Sequence, residues 1–479
     1  MEANFEYPAL GLYIDGQWHR DGRDTLNVVE PATEQILGTL PKASPEDVAQ
    51  ALEAAERAFK GWSRTSPLER SDLLRKTASL MRERIGRIAV LITRELGKPL
   101  VESEREVILA AEMFEWAAEE GRRTYGRIIP GRVMGARHHA TLEPIGPVAA
   151  FAGWNAPALT PSRKISSALA AGCSIVIKPA EETPAVALEI ARALHDAGVP
   201  PGVVNVVFGD PAAISRQLME SPITRCATFT GSTAIGRSLA EAAARSLKRI
   251  TLELGGHAPV LVFGDADVEQ AVGTLAAAKY RNAGQVCTSP TRMYVHESIY
   301  TKFVDSLSAR ASEIRVGNGM DRETQMGPLG NPRRLDAMAS MTADARDKGA
   351  RITAGGKRLH DRGWYWAPTV IADVNNDCAA ANVEPFGPIA LVRQFSSIDD
   401  VLAQANRLPF GLASYVFSND ARKIQAAVEG IQSGGVCINH CQASLPETPF
   451  GGIKDSGFGL EGGVEGLREF MNVKYVSQI

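Results

Sequence analysis

The chain has 479 residues, of which 44% are hydrophobic, and its 52 basic and 55 acidic side chains give a formal net charge of −3. This length exceeds the roughly 250 to 300 residues at which one hydrophobic core usually divides, so we expect two large domains. The near-neutral charge gives no electrostatic reason to bind nucleic acid or an anionic membrane.

The six cysteines are too sparse for a disulfide-stapled secreted scaffold. The closest two, Cys437 and Cys441, lack a second cysteine or histidine pair at zinc-site spacing, so we predict no metal. The amino-terminal sequence has no basic segment followed by an apolar core, and no uncharged apolar run approaches the roughly 18 residues of a membrane span. These features predict a reduced, soluble, cytoplasmic protein.

The first predicted elements form a helical layer over residues 44–125. In "SPEDVAQALEAAERAFKGW", Ser44 can cap the helix, Pro45 suits its first turn, and apolar residues recur at helical spacing. Residues 126–147 then alternate apolar and polar side chains around glycine and proline, which is typical of a β-hairpin.

Apolar runs alternate with helical ones from residue 148 to residue 257, which predicts βαβ units around a parallel sheet. A second α/β run covers residues 258–434. The glycine-dense sequence that follows is expected to lie over the active site and to end as a pairing strand. The predicted fold class is α/β, with two doubly wound parallel-sheet domains plus a small β-hairpin.

The run "GFGLEG", Gly457 to Gly462, matches the GxGxxG dinucleotide fingerprint letter for letter. We reject it as a fingerprint, because it lies in a glycine-rich loop near the carboxyl terminus and not between the first strand and helix of a βαβ unit. If the chain binds a dinucleotide, it does so without this fingerprint.

Several reactive side chains fall at the predicted carboxyl ends of strands, where α/β sheets bind their ligands. They are Trp154 and Asn155, Lys178 and Glu181, and Glu253. Cys287 lies apart from them in the flexible run "RNAGQVCTSP", where a thiolate would be the reactive form. Taken singly, each residue has a common structural role as a loop bracket, a helix cap or a small hydrophobe.

The order of the motifs is more specific than any one of them. "GWNAPA", "IKPAEETP", "FTGST", "LELGG", "GQVC", "EPFGP" and "PFGGIKDSG" occur in the order seen in NAD(P)-dependent aldehyde dehydrogenases, which the chain resembles over nearly its whole length. The resemblance implies an NAD-binding domain (1–125 and 148–257), a catalytic domain (258–434) and an oligomerisation segment (126–147 and 458–479) that builds a homodimer or homotetramer.

The resemblance also implies catalytic roles. Cys287 matches the nucleophile that attacks a small-molecule aldehyde to form a thiohemiacetal, and Asn155 matches the side chain that stabilises the oxyanion together with the backbone N–H of Cys287. Glu253 matches the general base that activates water to hydrolyse the later thioester. Related enzymes that transfer the acyl group to phosphate or coenzyme A generally lack this glutamate, and a non-catalytic relative would be expected to have lost one of the three residues.

A further set of residues matches cofactor contacts of the family. They are Trp154, Lys178, Glu181, Gly209, Gly231, Ser232, Leu254, Gly255, Glu384 and Phe386. Glu181 is informative, because a carboxylate accepts a hydrogen bond from the 2′-hydroxyl of NAD and repels the 2′-phosphate of NADP. We predict NAD, with use of NADP left open if Glu181 swings away.

Three residues match the carboxylate contacts of succinate semialdehyde dehydrogenases: Arg163, Arg281 and Ser444. Arginine suits a carboxylate because its planar fork donates two hydrogen bonds. The match predicts a semialdehyde with a distal carboxylate. An uncharged aromatic or aliphatic aldehyde is the alternative, because an arginine near Arg163 also occurs in relatives that act on aromatic aldehydes and "WNAP" resembles those enzymes. Ala156 replaces a phenylalanine that is frequent in the family, which affects the expected width of the pocket.

Overall fold

A computed structural model of the protein describes residues 6–479. Its α-helices are α1 (Pro45–Trp62), α2 (Pro67–Glu83), α3 (Ile85–Leu96), α4 (Leu100–Glu120), α5 (Leu159–Ala171), α6 (Pro184–Ala197), α7 (Pro211–Glu220), α8 (Thr233–Arg245), α9 (Val268–Tyr280), α10 (Tyr300–Glu313), α11 (Pro332–Asp347), α12 (Ile398–Asn406), α13 (Ala421–Gly430) and α14 (Gly463–Arg468). Short 3₁₀ turns cover Gly121–Arg123, Arg281–Gly284, Glu297–Ile299 and Ala379–Ala381.

The strands are β1 (Leu12–Ile14), β2 (Gln17–His19), β3 (Thr25–Val29), β4 (Ile36–Pro41), β5 (Arg127–Pro130), β6 (Arg137–Pro144), β7 (Val148–Phe151), β8 (Ile175–Lys178), β9 (Val204–Val206), β10 (Cys226–Thr230), β11 (Arg249–Glu253), β12 (Ala258–Val262), β13 (Pro290–His296), β14 (Arg351–Ala354), β15 (Arg358–Leu359), β16 (Tyr365–Trp366), β17 (Thr369–Ala372), β18 (Ile389–Phe395), β19 (Phe410–Gly411), β20 (Ala413–Phe417), β21 (Gly435–Ile438), β22 (Ile453–Lys454), β23 (Gly457–Phe458) and β24 (Met471–Gln478).

The predicted cap of α1 is confirmed. The Oγ atom of Ser44 accepts the backbone N–H of Asp47 at 3.2 Å, and the carboxylate of Asp47 accepts the N–H of Ser44 at 2.9 Å. This reciprocal pair satisfies two backbone donors that a helix start leaves open, and Pro45 fills the first position. Helices α1 to α4 make up the helical layer. Within residues 6–479, no helix is long and apolar enough to cross a bilayer.

The first large sheet has the strand order β2-β1-β9-β8-β7-β10-β11-β23. Its central strands from β9 to β11 are parallel, while β1 and β23 pair antiparallel at either side. Strands β7 and β8 are buried along their whole length, as expected where helices cover both faces of a parallel sheet. The carboxyl ends of β7, β8, β10 and β11 therefore meet at one edge.

The second large sheet has the order β14-β17-β18-β13-β12-β20-β21, parallel except at β14. The predicted fold class, two parallel-sheet units in an α/β protein, is confirmed. The predicted end of the second unit at residue 434 is one strand too early, because β21 (Gly435–Ile438) pairs in parallel with β20. The sequence "GGVCI" is short and glycine-rich, which concealed this edge strand.

A three-stranded antiparallel sheet, β24-β6-β5, lies outside both large sheets. The hairpin predicted over residues 126–147 supplies β5 and β6, and β24 pairs with β6 from Met471 to Gln478. The "GFGLEG" run begins as β23, whose Gly457 and Phe458 pair with the edge of β11 in the first sheet. It therefore lies on a sheet edge, and the predicted oligomerisation segment starting at residue 458 begins inside the first sheet.

Candidate active site

A cleft of about 1710 Å³ is lined by residues of both large units. All the predicted catalytic and substrate residues line it, and so do all the predicted cofactor residues except Gly209. Chain folding thus brings together side chains that are up to about 290 positions apart, from Trp154 to Ser444, as expected when ligands bind at the carboxyl ends of parallel strands.

The loop that carries Cys287 follows α9 through a sharply turned backbone. Asn282 and Ala283 have φ values of +49° and +51°, and Gly284 has φ +71°. A Cβ atom on Gly284 would lie 2.1 Å from the carbonyl oxygen of Gly387, so only glycine fits there. Left-handed non-glycine residues cost about 1 to 3 kcal/mol each and occur mostly where function requires the geometry.

Asn155 is tied to this loop. Its Nδ2 atom donates to the carbonyl oxygen of Gln285 at 3.2 Å, two residues before Cys287. The side chain of Asn282 donates to the same oxygen at 3.1 Å and to the carbonyl of Asn155 at 3.0 Å. An amide carries two N–H groups, so one N–H of Asn155 stays available to a ligand in the cleft.

Helix α4 supports both segments through carboxylates that the sequence analysis did not identify. Glu102 accepts the backbone N–H of Asn282 at 2.9 Å. Glu106 accepts the N–H groups of Ala158 and Leu159 at 2.8 and 3.2 Å and forms a buried ion pair with Lys98. The sequence signal that could have identified them is their i, i+4 spacing, which places both glutamates on one face of α4.

The Cys287 thiol is half-buried and holds its proton tightly. Burial raises its pKa well above the ordinary value, and the negative charge of Glu253 raises it further. The backbone of the "LELGG" segment approaches closely, since a Cβ atom on Gly256 would lie 2.9 Å from the carbonyl oxygen of Cys287. A free thiol next to a carboxyl group is the arrangement of a nucleophile with a base.

Glu253 at the end of β11 is almost fully buried. Burial raises the pKa of its carboxyl group to about 7, and the nearby carboxylate of Glu461 adds to the effect, while the Cys287 thiol, Lys164 and Arg163 oppose it. Its Oε1 atom has no hydrogen-bond partner within residues 6–479. A carboxyl group that titrates near neutral pH and keeps an open acceptor is suited to general-base chemistry.

A buried cluster of charges lies beside Glu253. Arg163 donates from Nη2 to the Oγ atom of Ser444 at 2.6 Å, and its Nη1 atom lies 3.7 Å from Oε2 of Glu461. Lys164 also donates to Glu461. Burial acts to raise the pKa of Glu461, but the positive charges of Lys164 and Arg163 hold it below the ordinary value. Sequence analysis missed Lys164, and it missed Glu461 because that residue stood inside the rejected "GFGLEG" run.

The aromatic face of Phe450 completes this side of the cleft. The Cζ atom of Arg163 lies 4.9 Å from the centre of the Phe450 ring, a cation–π contact. Arg281 differs from Arg163, because its side chain is exposed on the cleft wall and forms no ion pair within the described residues 6–479. Of the two arginines predicted to bind substrate, Arg163 therefore has a carboxylate neighbour, and Arg281 has a guanidinium that is exposed to solvent.

The predicted adenosine end is organised around Glu181. Its carboxylate lies 2.6 Å from Nζ of Lys178 and accepts the backbone N–H of Gly209 at 3.1 Å. Gly209 itself does not line the cleft, so it holds Glu181 in position and is not a direct contact for a ligand. A carboxylate held by one lysine and one backbone donor keeps a fixed position at the end of β8.

The remaining cofactor candidates form a cradle with little side-chain bulk. Gly231 and Ser232 precede α8, and Ser232 caps that helix through the N–H of Ile235. The start of a helix favours anions such as a pyrophosphate. A Cβ atom on Gly255 would lie 2.8 Å from Oε2 of Glu384, whose pKa burial raises to about 8.

Trp154 and Phe386 stand edge to face at the inner end of this cradle, with ring centroids 5.5 Å apart. Leu254 lies buried between the catalytic and cofactor regions. The start of α8, two glycines and flanking carboxylates fit a dinucleotide that is extended along the cleft.

Comparisons with known proteins agree with this geometry. Residues 18–476 match the model of the aldehyde dehydrogenase family. The chain is 45% identical over 475 residues to 4-(hydroxymethyl)benzenesulfonate dehydrogenase TsaD1 of Comamonas testosteroni, covering 99% of each chain. It is 41% identical over 465 residues to the NADP⁺ succinate-semialdehyde dehydrogenase GabD of Escherichia coli K12, covering 97% of this chain and 96% of GabD.

Solved structures give the same result. A succinate-semialdehyde dehydrogenase from Burkholderia pseudomallei superimposes with a TM-score of 0.96 at 42% identity, covering 98% of this chain and 97% of that one. An NAD-dependent aldehyde dehydrogenase from Sinorhizobium meliloti gives a TM-score of 0.96 at 33% identity, covering 99% and 97%. The resemblance inferred from the ordered motifs is confirmed, and the chain belongs to the aldehyde dehydrogenase family.

Proposed function

We propose that this enzyme oxidises an aldehyde with a distal anionic group, such as succinate semialdehyde, to the carboxylic acid, with NAD as the preferred cofactor. The observation that carries the proposal is the meeting of Cys287, Asn155 and Glu253 in one cleft whose wall also contains Arg163, Arg281 and Ser444.

The sulfur of Cys287 attacks the carbonyl carbon of the aldehyde. The second N–H of the Asn155 amide and the backbone N–H of Cys287 donate to the oxygen on which negative charge develops. Glu253 accepts the thiol proton, directly or through a water molecule, because its carboxyl group titrates near pH 7 while burial keeps the thiol protonated. Bound NAD would supply the acceptor for the hydride of the thiohemiacetal carbon, and Glu181, Gly231, Ser232 and Glu384 are among the residues that would hold it.

Departure of that hydride restores the carbon–oxygen double bond and leaves a thioester on Cys287. Once Glu253 has released the thiol proton to solvent, it takes a proton from a water molecule as the water oxygen attacks the thioester carbon, and the carbon–sulfur bond breaks as the departing sulfur regains a proton. The products are the free acid and the regenerated thiol. This step requires Cys287 to stay a free thiol between turnovers, so we place the enzyme in the reducing cytoplasm.

The anionic end of the substrate is assigned to the arginines. Arg163 is buried, already oriented by Ser444, and its Nε atom has no hydrogen-bond partner within the described part of the chain. Arg281 faces the same cleft from the opposite unit, and its guanidinium forms no ion pair with any residue from 6 to 479. A carboxylate bound between them would gain charge-assisted hydrogen bonds that an uncharged aldehyde does not offer.

An aromatic aldehyde with a terminal sulfonate is the second candidate. It is favoured by the 45% identity to the Comamonas enzyme named for 4-(hydroxymethyl)benzenesulfonate, and a relative from Pseudomonas putida at 40% identity is named 3-sulfolactaldehyde dehydrogenase. The small Ala156 and the ring of Phe450 on the cleft wall are compatible with a flat substrate. Both candidates share a distal anion, so both use the arginines.

The preference for NAD is supported by Glu181. Its carboxylate faces the adenosine end of the cleft and is held there by Lys178 and Gly209, so a 2′-phosphate would meet a fixed negative charge. NADP remains usable only to the extent that this charge is balanced by Lys178.

We assign oligomerisation to the three-stranded sheet. Ile128, Val473 and Tyr475 on this sheet are between 61% and 90% exposed in the single chain, which is unfavourable for apolar side chains in water. Pairing with a second copy would cover this surface and give a homodimer or homotetramer.

The nucleophile is tested by Cys287→Ala. This variant should lose dehydrogenase turnover while still binding NAD, because the cofactor residues lie elsewhere in the cleft; steady-state rates and calorimetric titration of NAD measure the two effects. Cys441→Ala, which removes another thiol of the same cleft, is the control and should keep its activity. Turnover by Cys287→Ala would contradict the proposal.

The base is tested by the pH dependence of thioester hydrolysis. Glu253 acts as its carboxylate, so hydrolysis should accelerate as the pH rises through about 7. Glu253→Gln should lose this inflection and show a burst of about one equivalent of NADH per site before slow turnover.

Glu95→Gln is the control variant. Glu95 is a buried carboxyl group outside the cleft, its pKa is raised to about 8, and its replacement should cause no burst. Normal turnover by Glu253→Gln would remove Glu253 from the mechanism.

The cofactor preference is tested by Glu181→Ser. Wild type should have the higher kcat/KM with NAD, and the variant should gain about tenfold in kcat/KM with NADP, because Lys178 is left free to contact the 2′-phosphate. Glu182→Ser, which removes a partner of Arg333 instead, is the matched control. A wild-type preference for NADP would overturn the assignment.

The distal anion is tested with succinate semialdehyde, butanal and benzaldehyde on wild type, Arg163→Ala and Arg281→Ala. Arg163→Ala should lose about 2 to 5 kcal/mol of transition-state stabilisation with the semialdehyde, the usual cost of leaving a desolvated charge unpaired. Arg281→Ala should lose less because its side chain is exposed, and both variants should lose little with the uncharged aldehydes. Steady-state kcat/KM values measure how far each variant's loss on the semialdehyde exceeds its loss on the uncharged aldehydes. Equal losses on all three substrates would make the arginines structural, and a wild-type preference for benzaldehyde would favour an aromatic substrate.

A further inference from the structure

Arg105 and Arg281 are among the guanidinium groups on the cleft wall that have no anionic partner within residues 6–479. Arg105 lies in the second turn of α4, and Arg281 lies immediately after α9; both side chains are exposed. Within residues 6–479, neither has a carboxylate oxygen within 4.0 Å. Arg163 differs from them, because Ser444 and Glu461 already occupy it. The cleft thus has a second cationic region, which includes a residue that the predicted substrate set did not contain.

Arg105 and Arg281 both lie near the carboxylate of Glu102. Glu102 accepts the backbone N–H of Asn282, next to Arg281 in the chain, and it precedes Arg105 by three residues, one helical turn. Burial raises the pKa of Glu102, and the charges of Lys98, Arg281 and Arg105 oppose this rise. Two arginines against one carboxylate leave a net positive charge at this place, because Lys98 is paired with Glu106.

Apolar side chains lie between this region and the catalytic cysteine. The main cleft adjoins a second cavity of about 640 Å³, and the residues common to both include Leu109, Ala156, Leu159, Ala277 and Val286 as well as the two arginines. Leu109 follows Arg105 by four residues on α4, and Ala277 precedes Arg281 by four residues, so each arginine has an apolar neighbour about one helical turn away. Val286 is the direct neighbour of Cys287.

We infer that Arg105, together with Arg281, forms an outer anion subsite beyond the inner contacts of Arg163 and Ser444, with Arg281 within reach of both. It would take the carboxylate or sulfonate of an aldehyde whose apolar spacer is longer than two methylene groups, such as a benzene ring, with the spacer against Leu109, Leu159 and Val286. This inference rests on the proposed function. Two guanidiniums suit such an anion because each offers a planar fork of donors.

The subsite is tested first by binding without chemistry. Calorimetry on the full-length protein measures the Kd of 4-methylbenzenesulfonate, 4-methylbenzoate and the uncharged 4-methylbenzyl alcohol. Arg105→Gln should weaken binding of both anions by about tenfold and leave the alcohol within about twofold. Arg310→Gln is the matched control: Arg310 is an exposed arginine that lines the second cavity but not the main cleft.

The kinetic arm compares 4-formylbenzenesulfonate and 4-formylbenzoate with succinate semialdehyde. Arg105→Gln should raise KM for the two aromatic anions by about tenfold at nearly constant kcat, and should change KM for succinate semialdehyde by less than about threefold. Equal effects on the short and the aromatic substrates would overturn the outer subsite. A sulfonate effect without a carboxylate effect would restrict it to sulfonates.

The two proposals fail separately. If wild type shows no preference for anionic over uncharged aldehydes, the proposed substrate class is wrong, and calorimetry still reports on Arg105. If neither anion binds to wild type, or if Arg105→Gln and Arg310→Gln behave alike, the outer subsite is wrong even when Arg163 and Arg281 discriminate succinate semialdehyde from butanal.

Discussion

The chemistry of this site depends on the burial of a thiol beside a carboxyl group. Removing water from Cys287 and Glu253 disfavours both charged forms, so the two groups hold their protons more tightly than in water. At neutral pH the carboxyl group of Glu253 lies near the midpoint of its titration. It is therefore able to take a proton from the thiol or from water and to release it again within a catalytic cycle.

Such a pair needs a rigid frame, because a displacement of about 1 Å in a reacting group is enough to slow a reaction by orders of magnitude. The frame here is built from backbone hydrogen bonds. Glu102 and Glu106 of α4 hold the N–H groups of the nucleophile loop and of the start of α5, and Asn282 links the loop to Asn155. The left-handed turn at Ala283 is the strain that this frame maintains.

Charge is distributed unevenly along the cleft. At its buried side, Arg163 and Lys164 neutralise Glu461 in a compact cluster, while the Nε atom of Arg163 keeps no hydrogen-bond partner within residues 6–479. Toward solvent, Arg105 and Arg281 have no carboxylate partner in the described part of the chain. A substrate with an aldehyde at one end and an anion at the other would be oriented by these arginines, since only its anionic end is complementary to them.

Much of this protein was determined by local sequence. The alternation of apolar and helical runs specified two parallel sheets, and Ser44 with Asp47 specified the start of α1, because these patterns act over a few residues. The ordered motifs also singled out Cys287, Asn155 and Glu253, which share one cleft: Glu253 ends β11, Asn155 follows β7, and Cys287 lies in the loop before β13.

Tertiary structure alone decided the neighbours of these residues. Glu461 is far from Lys164 in sequence and stands in a glycine-rich run, yet it pairs with Lys164 because β23 joins the edge of β11 and brings the following loop over the cleft. The hydrogen bond from the Gly209 N–H to Glu181 and the placement of Arg105 and Arg281 near Glu102 arise in the same way. Burial, and with it the pKa values on which catalysis depends, is a property of packing among distant segments, which no local pattern encodes.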